Sequence, residues 1–348
     1  MHYNYRKSFA SDNNSIVHPK VMEALERVNS GHYLSYGEDP ITSKVEERFR
    51  EIFGPSSETF FVFSGTAANL TGLSALMKPY NAVICPDSAH IKVDECGAVE
   101  RFSGSSLLTV KTADGKLRPH MLDPYLDHIG VEHSPQPSVI SITQSTELGT
   151  VYTIEELKAL CSYAHSKGLL VHMDGARLAN AAASLDCSLR AMTTDVGVDL
   201  LSFGGSKNGL MVGEAVVFTR GDLAEGFKYI RKQAGQLASK MRYIAAQFDA
   251  LLTDDLWLKN AKQANKMASL LAEELKKIPG IRITRPVEAN ALFVNMPAEA
   301  ASRLMETYPF YLMNKETGEY RWMTSFDMVD QDIYDFVKAI KGSLSYKG

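Results

Sequence analysis

The lysine at position 207 stands in an unusual context, because it follows the apolar run LLSF inside the glycine-flanked turn GGSKNG, residues 204–209. Most lysines are solvated at the surface, and that alternative applies here too. The small residues Gly204, Gly205 and Ser206 would leave room for a flat ligand against the backbone. Desolvation and neighbouring cations lower the pKa of an amine, and a neutral amine can form a Schiff base with an aldehyde. Lys207 is therefore a candidate imine-forming residue.

A second candidate, Asp174, ends the apolar run LLVHMD, and Arg177 follows three residues later. A carboxylate beside a run that is buried on both faces is costly unless donors or a cation meet it. One interpretation is structural, an Asp–Arg pair or an Asx turn. The other is a carboxylate kept ionised so that it pairs with a protonated ring nitrogen. The motif alone leaves both interpretations open.

A phosphate site is predicted where Ser64, Gly65 and Thr66 open a helix directly after the strand-like run TFFVF. A helix N-terminus offers free N–H groups and a positive dipole end to a phosphate, although an ordinary N-cap is the alternative. The turn lacks the GxGxxG and GxxxxGK[ST] fingerprints of dinucleotides and nucleoside triphosphates. Together with Asp174 and Lys207, it predicts pyridoxal 5'-phosphate as the cofactor. His90, after the run AVICP, could stack on the pyridine ring and assist proton movement, unless it is an ordinary core or surface histidine.

The elements that must position these residues alternate between strand and helix. From about residue 59 to 218, short β-rich runs alternate with helical patterns, which predicts an α/β fold with a mostly parallel sheet and its ligand site at the carboxyl ends of the strands. The segment TIEE predicts a capping box between Thr153 and Glu156. Further on, YIRKQAGQLASKMRYIAAQFDALL predicts a long amphipathic helix. We expect a large cofactor-binding domain over residues 1–250 and a smaller C-terminal α+β domain over 251–348.

The composition is that of an ordinary globular protein. A net charge of −4 over 348 residues gives no basic surface for nucleic acid, and no apolar run approaches the roughly 18 residues that cross a bilayer. The N-terminus lacks the apolar core of a signal peptide, so we expect a cytoplasmic enzyme. The cysteines lie far apart without ligand spacing, which predicts neither a metal site nor a disulfide framework. They are Cys85, Cys96, Cys161 and Cys187.

Several motifs together resemble the aspartate aminotransferase superfamily, fold type I, and within it the threonine aldolase and β-eliminating lyase group. They are SDNN at 11–14, YGEDP at 36–40, SGTAAN at 64–69, AH at 89–90, MDGARL at 173–178 and GGSKNG at 204–209. The resemblance covers nearly the whole chain. It implies a large domain with a mostly parallel seven-stranded sheet and a smaller C-terminal α+β domain.

The resemblance also implies a role for each candidate residue in the cofactor site. Lys207 would carry the Schiff base, Asp174 would pair with the pyridine nitrogen and His90 would stack on the ring. The phosphate would be held by Gly65 and Thr66.

Substrate binding and assembly are implied in the same way. The substrate carboxylate would be bound by Ser11, Arg177 and Arg321, and Arg177 would also contact the phenolic oxygen of the cofactor. Arginine suits a carboxylate because its planar fork is always charged. Sites in this superfamily are usually built between two subunits, so a homodimer or homotetramer is implied. Tyr36, a further substrate-site residue, and residues 232–240 would lie across the interface.

One position departs from the family pattern. Low-specificity threonine aldolases have a segment similar to THNG, with a histidine near the β-hydroxyl of the substrate, whereas this chain has TELG with Glu147. Some similar family members have an acidic residue there. Glu147 is therefore a candidate catalytic base, and its structural alternative is a turn or helix-cap carboxylate before Thr153.

The activity that the resemblance implies is retro-aldol cleavage of L-threonine, L-allo-threonine or a related L-β-hydroxy-α-amino acid to glycine and an aldehyde. Another pyridoxal-phosphate reaction, β-elimination or transamination, needs the same lysine and aspartate. A noncatalytic cofactor or amino-acid binding protein is a second class. A nicotinamide dehydrogenase would suit the α/β pattern, but its glycine fingerprint is missing.

Overall fold

The computed structural model describes residues 7–345 and is centred on a seven-stranded sheet. The strands are β1 (Glu58–Val62), β2 (Asn81–Pro86), β3 (Ser106–Val110), β4 (Gln136–Thr143), β5 (Leu170–Gly175), β6 (Leu200–Gly204) and β7 (Glu214–Phe218). Their order is β1-β7-β6-β5-β4-β2-β3. Strand β7 runs antiparallel to β1 and β6, and the other neighbouring pairs are parallel. The predicted α/β class with a mostly parallel seven-stranded sheet is confirmed.

Helices connect and cover these strands. They are α1 (Pro19–Arg27), α2 (Pro40–Phe53), α3 (Gly65–Leu76), α4 (His90–Val93), α5 (Ala98–Ser103), α6 (Asp123–Leu126), α7 (Ile154–Ser166), α8 (Leu178–Leu185), α9 (Phe227–Gln233), α10 (Met241–Leu252), α11 (Leu256–Leu275), α12 (Ala298–Met305) and α13 (Asp330–Ser345). The predicted capping box of α7 is present, since Thr153 accepts from the N–H of Glu156 and Glu156 accepts from the N–H of Thr153.

The structure breaks the long helix that the sequence predicts around residues 229–252. Helix α9 ends at Gln233 and α10 begins only at Met241. Between them Gly235 has a φ of +71°, in the left-handed region that glycine enters without a steric penalty. The apolar helical periodicity continues across the break, so periodicity alone did not reveal this turn.

A second, four-stranded sheet lies in the C-terminal part of the chain. Its strands β8 (Arg282–Ile283), β9 (Ala291–Asn295), β10 (Tyr311–Asn314) and β11 (Glu319–Met323) are all antiparallel, in the order β10-β11-β9-β8. Its core also includes Phe9, which stacks on Phe336 and donates its N–H to the carbonyl of Pro309. The N-terminal segment is thus anchored to this layer. The domain boundary near residue 250 stays a prediction.

The main core lies between the large sheet and its helices. Five rings pack edge-to-face or stacked at its centre, Phe49, Phe53, Phe61, Phe203 and Phe248. Because β6 carries Phe203 in this cluster, the end of β6 is held rigidly where the chain turns towards Lys207. Within residues 7–345, no helix has the length and apolarity needed to span a bilayer.

Candidate active site

The carboxyl ends of β4, β5 and β6 meet at one cavity. In the sheet register, Thr143 lies beside Asp174, and Asp174 lies beside Ser202. The cavity has a volume of about 240 Å³, and its lining includes Gly65, Thr66, His90, Asp174 and Lys207. An adjoining cavity of about 40 Å³ is lined in part by Glu147 and Arg177. The structure therefore brings together candidate residues that are far apart in the sequence, from Gly65 to Lys207.

Lys207 is presented by a 3₁₀ turn, Ser206–Asn208, directly after β6. The two preceding glycines are needed for close backbone contact. A Cβ on Gly204 would lie 2.5 Å from the carbonyl oxygen of Ala176, and one on Gly205 would lie 2.6 Å from that of Gly213. A side chain at either glycine would therefore collide with the backbone, while Gly204 and Ser206 line the cavity itself.

Asp174 is buried, and both its carboxylate oxygens have donors. Oδ2 accepts from Nδ2 of Asn69 at 2.9 Å, and Oδ1 accepts from the N–H of Ala176 at 3.0 Å. Burial acts to raise the pKa of Asp174, but the charge of Lys207 and these hydrogen bonds outweigh it, so the pKa lies below its ordinary value. The contact with Ala176 is the Asx turn that the sequence allowed. The carboxylate is therefore held ionised at the cavity wall.

The alternative Asp174–Arg177 pair does not form. Arg177 instead donates through Nε and Nη2 to the two oxygens of the buried Asp12, at 2.8 Å each. Burial acts to raise the pKa of Asp12, but Arg177 and a hydrogen bond from Asn290 bring it below its ordinary value. The bidentate pair fixes the plane of the Arg177 guanidinium beside the cavity.

The start of α3 faces the first cavity. Ser64 is the N-cap and accepts from the N–H of Ala67, whereas the N–H groups of Gly65 and Thr66 belong to the first turn and have no partner within the helix. A Cβ on Gly65 would meet nothing within 4 Å. The site thus has open space next to free backbone donors, which is the arrangement that binds a phosphate.

Glu147 lies between β4 and the start of α4. Its Oε1 accepts from the N–H of His90 at 2.8 Å and from the Thr143 hydroxyl at 2.7 Å. Its Oε2 is buried without a hydrogen-bond partner among the described residues. Burial raises the pKa of Glu147 above its ordinary value. Glu147 lies in the turn closed by the hydrogen bond from the N–H of Gly149 to the carbonyl of Thr146, so the turn alternative remains open. The cap of α7 is formed by Thr153 and Glu156 and not by Glu147.

The remaining candidates lie in different surroundings. Arg321 is mostly buried with its Nη2 at 3.4 Å from the carbonyl oxygen of Ala10, and burial together with the charge of Arg177 lowers its pKa. Ser11 accepts from the N–H of Asn13 as the N-cap of a short 3₁₀ turn. Tyr36 is 47% exposed and is not among the residues that line either cavity of the single chain.

The sequence profile of the family described as Beta-eliminating lyase matches residues 8–299. The chain belongs to this family. A low specificity L-threonine aldolase of Pseudomonas aeruginosa is 44% identical to it over 97% of this chain and 98% of that protein. The solved structure of a threonine aldolase from Leishmania major is 30% identical, with a TM-score of 0.92 over 97% of this chain and all of that chain. The predicted resemblance is confirmed.

A more distant comparison supports the fold alone. An aspartate aminotransferase from Thermus thermophilus is 17% identical, with a TM-score of 0.69 over 97% of this chain and 90% of that chain. The α/β architecture is therefore that of fold type I enzymes.

Enzymes of the β-eliminating lyase family use pyridoxal phosphate, and the residues of the cavity fit this cofactor. Free backbone donors at Gly65 and Thr66 suit the phosphate. The low pKa of Asp174 suits a partner for a protonated ring nitrogen. Lys207 supplies an amine at the same cavity. Among residues 7–345, no group of three or more His, Cys, Asp or Glu side chains could hold a metal ion.

Several residues of the site were not identified from the sequence. Asp12 and Asn69 lie inside the quoted motifs SDNN and SGTAAN, so their motifs were found but not their contacts. His172 is buried under the cavity between Ser141 and Ser202, and burial lowers its pKa to about 4. Two buried carboxylates, Glu95 and Glu214, were also missed. An acidic residue directly before the β-rich run AVVF is a signal for Glu214, whereas no such pattern marks Glu95.

Proposed function

We propose that this protein cleaves an L-β-hydroxy-α-amino acid of the threonine and allo-threonine type to glycine and an aldehyde, with pyridoxal phosphate as cofactor. The observation that carries the proposal is the unpartnered Oε2 of Glu147, a buried carboxylate with a raised pKa that lines one small cavity together with Lys207 and Asp174. A carboxylate in this state is a suitable base for a substrate hydroxyl. The similarity to the aldolases of Pseudomonas aeruginosa and Leishmania major supports the same reaction.

Two arginines are proposed to orient the substrate. Arg177, fixed by Asp12, and Arg321, whose Nε is buried without a partner among the described residues, would bind the substrate carboxylate. Burial and the charge of Arg177 lower the pKa of Arg321, and an anion bound between the two arginines would favour its charged form. Ser11 would add a hydroxyl at the same end.

We propose that the amine of Lys207 would hold the cofactor and that Gly65 and Thr66 would donate to its phosphate. His90 would stack on its ring, and Asp174 would pair with the ring nitrogen. Bound pyridoxal phosphate supplies an electron sink conjugated with the Cα of the substrate. Asp174 would keep the ring nitrogen protonated, because a carboxylate with a low pKa stays charged over the working range of pH.

Bond cleavage is proposed to begin with Glu147. Its Oε2 would accept the proton of the β-hydroxyl, directly or through a water, while the Cα–Cβ bond breaks and the hydroxyl oxygen becomes the aldehyde carbonyl. The electron pair of the broken Cα–Cβ bond stays with Cα, which takes up a proton to give glycine. His90, held beside Glu147 through its own N–H, would assist proton movement at the same face.

A second copy of the chain is proposed to complete the site in a homodimer or homotetramer. A phosphate carries about two negative charges, yet among the described residues the larger cavity, of about 240 Å³, is lined by Lys207 and no other lysine or arginine. Basic residues over 232–240 of a neighbouring subunit would supply the missing charge. Tyr36, whose exposed ring lies 4.8 Å from Lys232 Nζ, marks that surface. The free cysteines suit a cytoplasmic location, which we also propose.

A coupled assay tests the proposed reaction. Purified enzyme is mixed with L-threonine, L-allo-threonine or phenylserine, and the aldehyde is reduced by an added alcohol dehydrogenase while glycine is quantified. Equal amounts of aldehyde and glycine are expected. Formation of a 2-oxo acid instead would support β-elimination or transamination, and no response to any amino acid would support a binding protein.

A further inference from the structure

Glu95 is a buried carboxylate that the proposed mechanism does not use, and it lies between His90 and Asn69. Its side chain is 0% exposed. Its Oε1 lies 2.7 Å from Nδ1 of His90 and 2.8 Å from Nδ2 of Asn69. The same amide nitrogen donates to Oδ2 of Asp174 at 2.9 Å. A continuous chain of hydrogen bonds therefore runs from Asp174 through Asn69 and Glu95 to the His90 ring.

We propose that Glu95 is a positioning residue that keeps a proton on Nδ1 of His90 and so leaves Nε2 as the ring nitrogen that exchanges protons at the cavity. An ionised carboxylate only accepts hydrogen bonds, so the His90 nitrogen facing it must be the donor. Asn69 holds the carboxylate in place, since its two amide hydrogens serve Glu95 and Asp174 at once. This inference deepens the proposed function and rests on it.

The charges around His90 are consistent with this role. The hydrogen bond from His90 to Glu95 is the largest influence and raises the pKa of His90 above its ordinary value, against desolvation by burial. The charge of Asp174 raises the same pKa further and that of Lys207 lowers it. Glu147 faces the residue from the other side through the backbone N–H of His90. Glu95 is thus the neighbour whose removal changes the protonation of His90 most.

The unequal use of the two Glu95 oxygens makes glutamine a clean probe. Oε1 has both partners, whereas Oε2 is buried without one among the described residues. In Glu95→Gln the amide oxygen can take the place of Oε1 and keep both hydrogen bonds, and the amide nitrogen takes the place of Oε2. The substitution therefore removes the charge with little change of shape.

The pKa of His90 is measured in the holoenzyme by NMR with ring-labelled histidine, and His90→Asn identifies the signal. In Glu95→Gln we expect this pKa to fall by about 1 unit or more, the effect of losing an adjacent opposite charge. Asp199→Asn is the matched control, because Oδ2 of Asp199 lies 2.8 Å from Nε2 of His165 and forms the same kind of pair. This pair is not among the residues that line the cavity. The control variant should leave the His90 signal at its original pKa. A His90 pKa in Glu95→Gln equal to that of the wild type overturns the proposal.

A measurement on the wild type covers the case in which Glu95→Gln does not fold. Nitrogen chemical shifts of the neutral His90 ring should report the proton on Nδ1, and a proton on Nε2 instead overturns the proposal. Both NMR measurements are independent of the substrate. If the wild type fails to cleave threonine, the proposed function fails, while the NMR results still decide the role of Glu95.

Discussion

Replacing Glu147 by glutamine separates its observed hydrogen bonds from its proposed role as a base. Oε1 holds the N–H of His90 and the hydroxyl of Thr143, and Oε2 has no partner. The amide oxygen can keep the first two contacts while the amide nitrogen occupies the free position. The variant therefore retains the local structure and loses only the ability to accept a proton.

In Glu147→Gln we expect a large loss of activity and a gain in the free energy of unfolding. General base catalysis contributes at least about 10²-fold to the rate, so kcat for threonine cleavage should fall by that factor. This corresponds to an increase of about 2.7 kcal/mol in the activation free energy. Burial raises the pKa of Glu147 in the folded chain, so the stability contributed by the neutral acid is lost as pH rises from its unfolded value through its folded one. Glutamine does not ionise, and Glu147→Gln should gain in free energy of unfolding relative to the wild type over that rise.

Stopped-flow measurement of aldehyde release and denaturant unfolding at several pH values test the two halves. Glu156→Gln is a suitable control, because Glu156 is a helix-cap carboxylate on α7 that is remote from the cavity lining. It should leave kcat unchanged. Aldehyde release by Glu147→Gln at the wild-type rate would refute the assignment of the base, whatever its stability.

Other substitutions test the remaining assignments. Borohydride should fix the cofactor onto Lys207, and peptide mapping to any other lysine would contradict its role. Asp174→Asn should lower kcat at least about 10²-fold in steady-state assays, since the ring nitrogen loses its counter-charge. Arg321→Ala should raise KM steeply while leaving the cofactor spectrum intact, because hydrogen bonds to a charged carboxylate contribute about 1.5–3 kcal/mol each. An unchanged KM would exclude Arg321 from substrate binding.

The large sheet could be predicted because its signals are local. Apolar runs of strand length alternate with helical patterns, and the capping box of α7 lies within four consecutive residues, Thr153 to Glu156. Strand β3 was not predicted, since its run SLLTV shows only partial burial at the sheet edge and is a weak pattern. The turn at Gly235 was missed because a glycine within a helical pattern also occurs inside helices.

The motifs of the candidate site could be predicted from the sequence, but the ion pair between its side chains could not. Lys207 and Asp174 could be identified as site residues because they lie at the carboxyl ends of strands, where ligands bind in such sheets. By contrast, the pairing of Arg177 with Asp12 joins residues 165 positions apart, and the sequence offered Asp174 as the nearer partner. Such pairing depends on how the N-terminal segment packs on the C-terminal sheet, which periodicity does not describe.

Two buried carboxylates of the same site illustrate how packing assigns different chemistry to similar groups. Burial disfavours the charge of both Asp174 and Glu147. Asp174 overcomes this because Lys207 lies near and both its oxygens have donors, so its pKa falls. Glu147 receives its donors on one oxygen only, so its pKa rises. A permanent counter-charge and a proton acceptor can therefore stand at one cavity, since environments that push two pKa values apart also divide the roles of the groups.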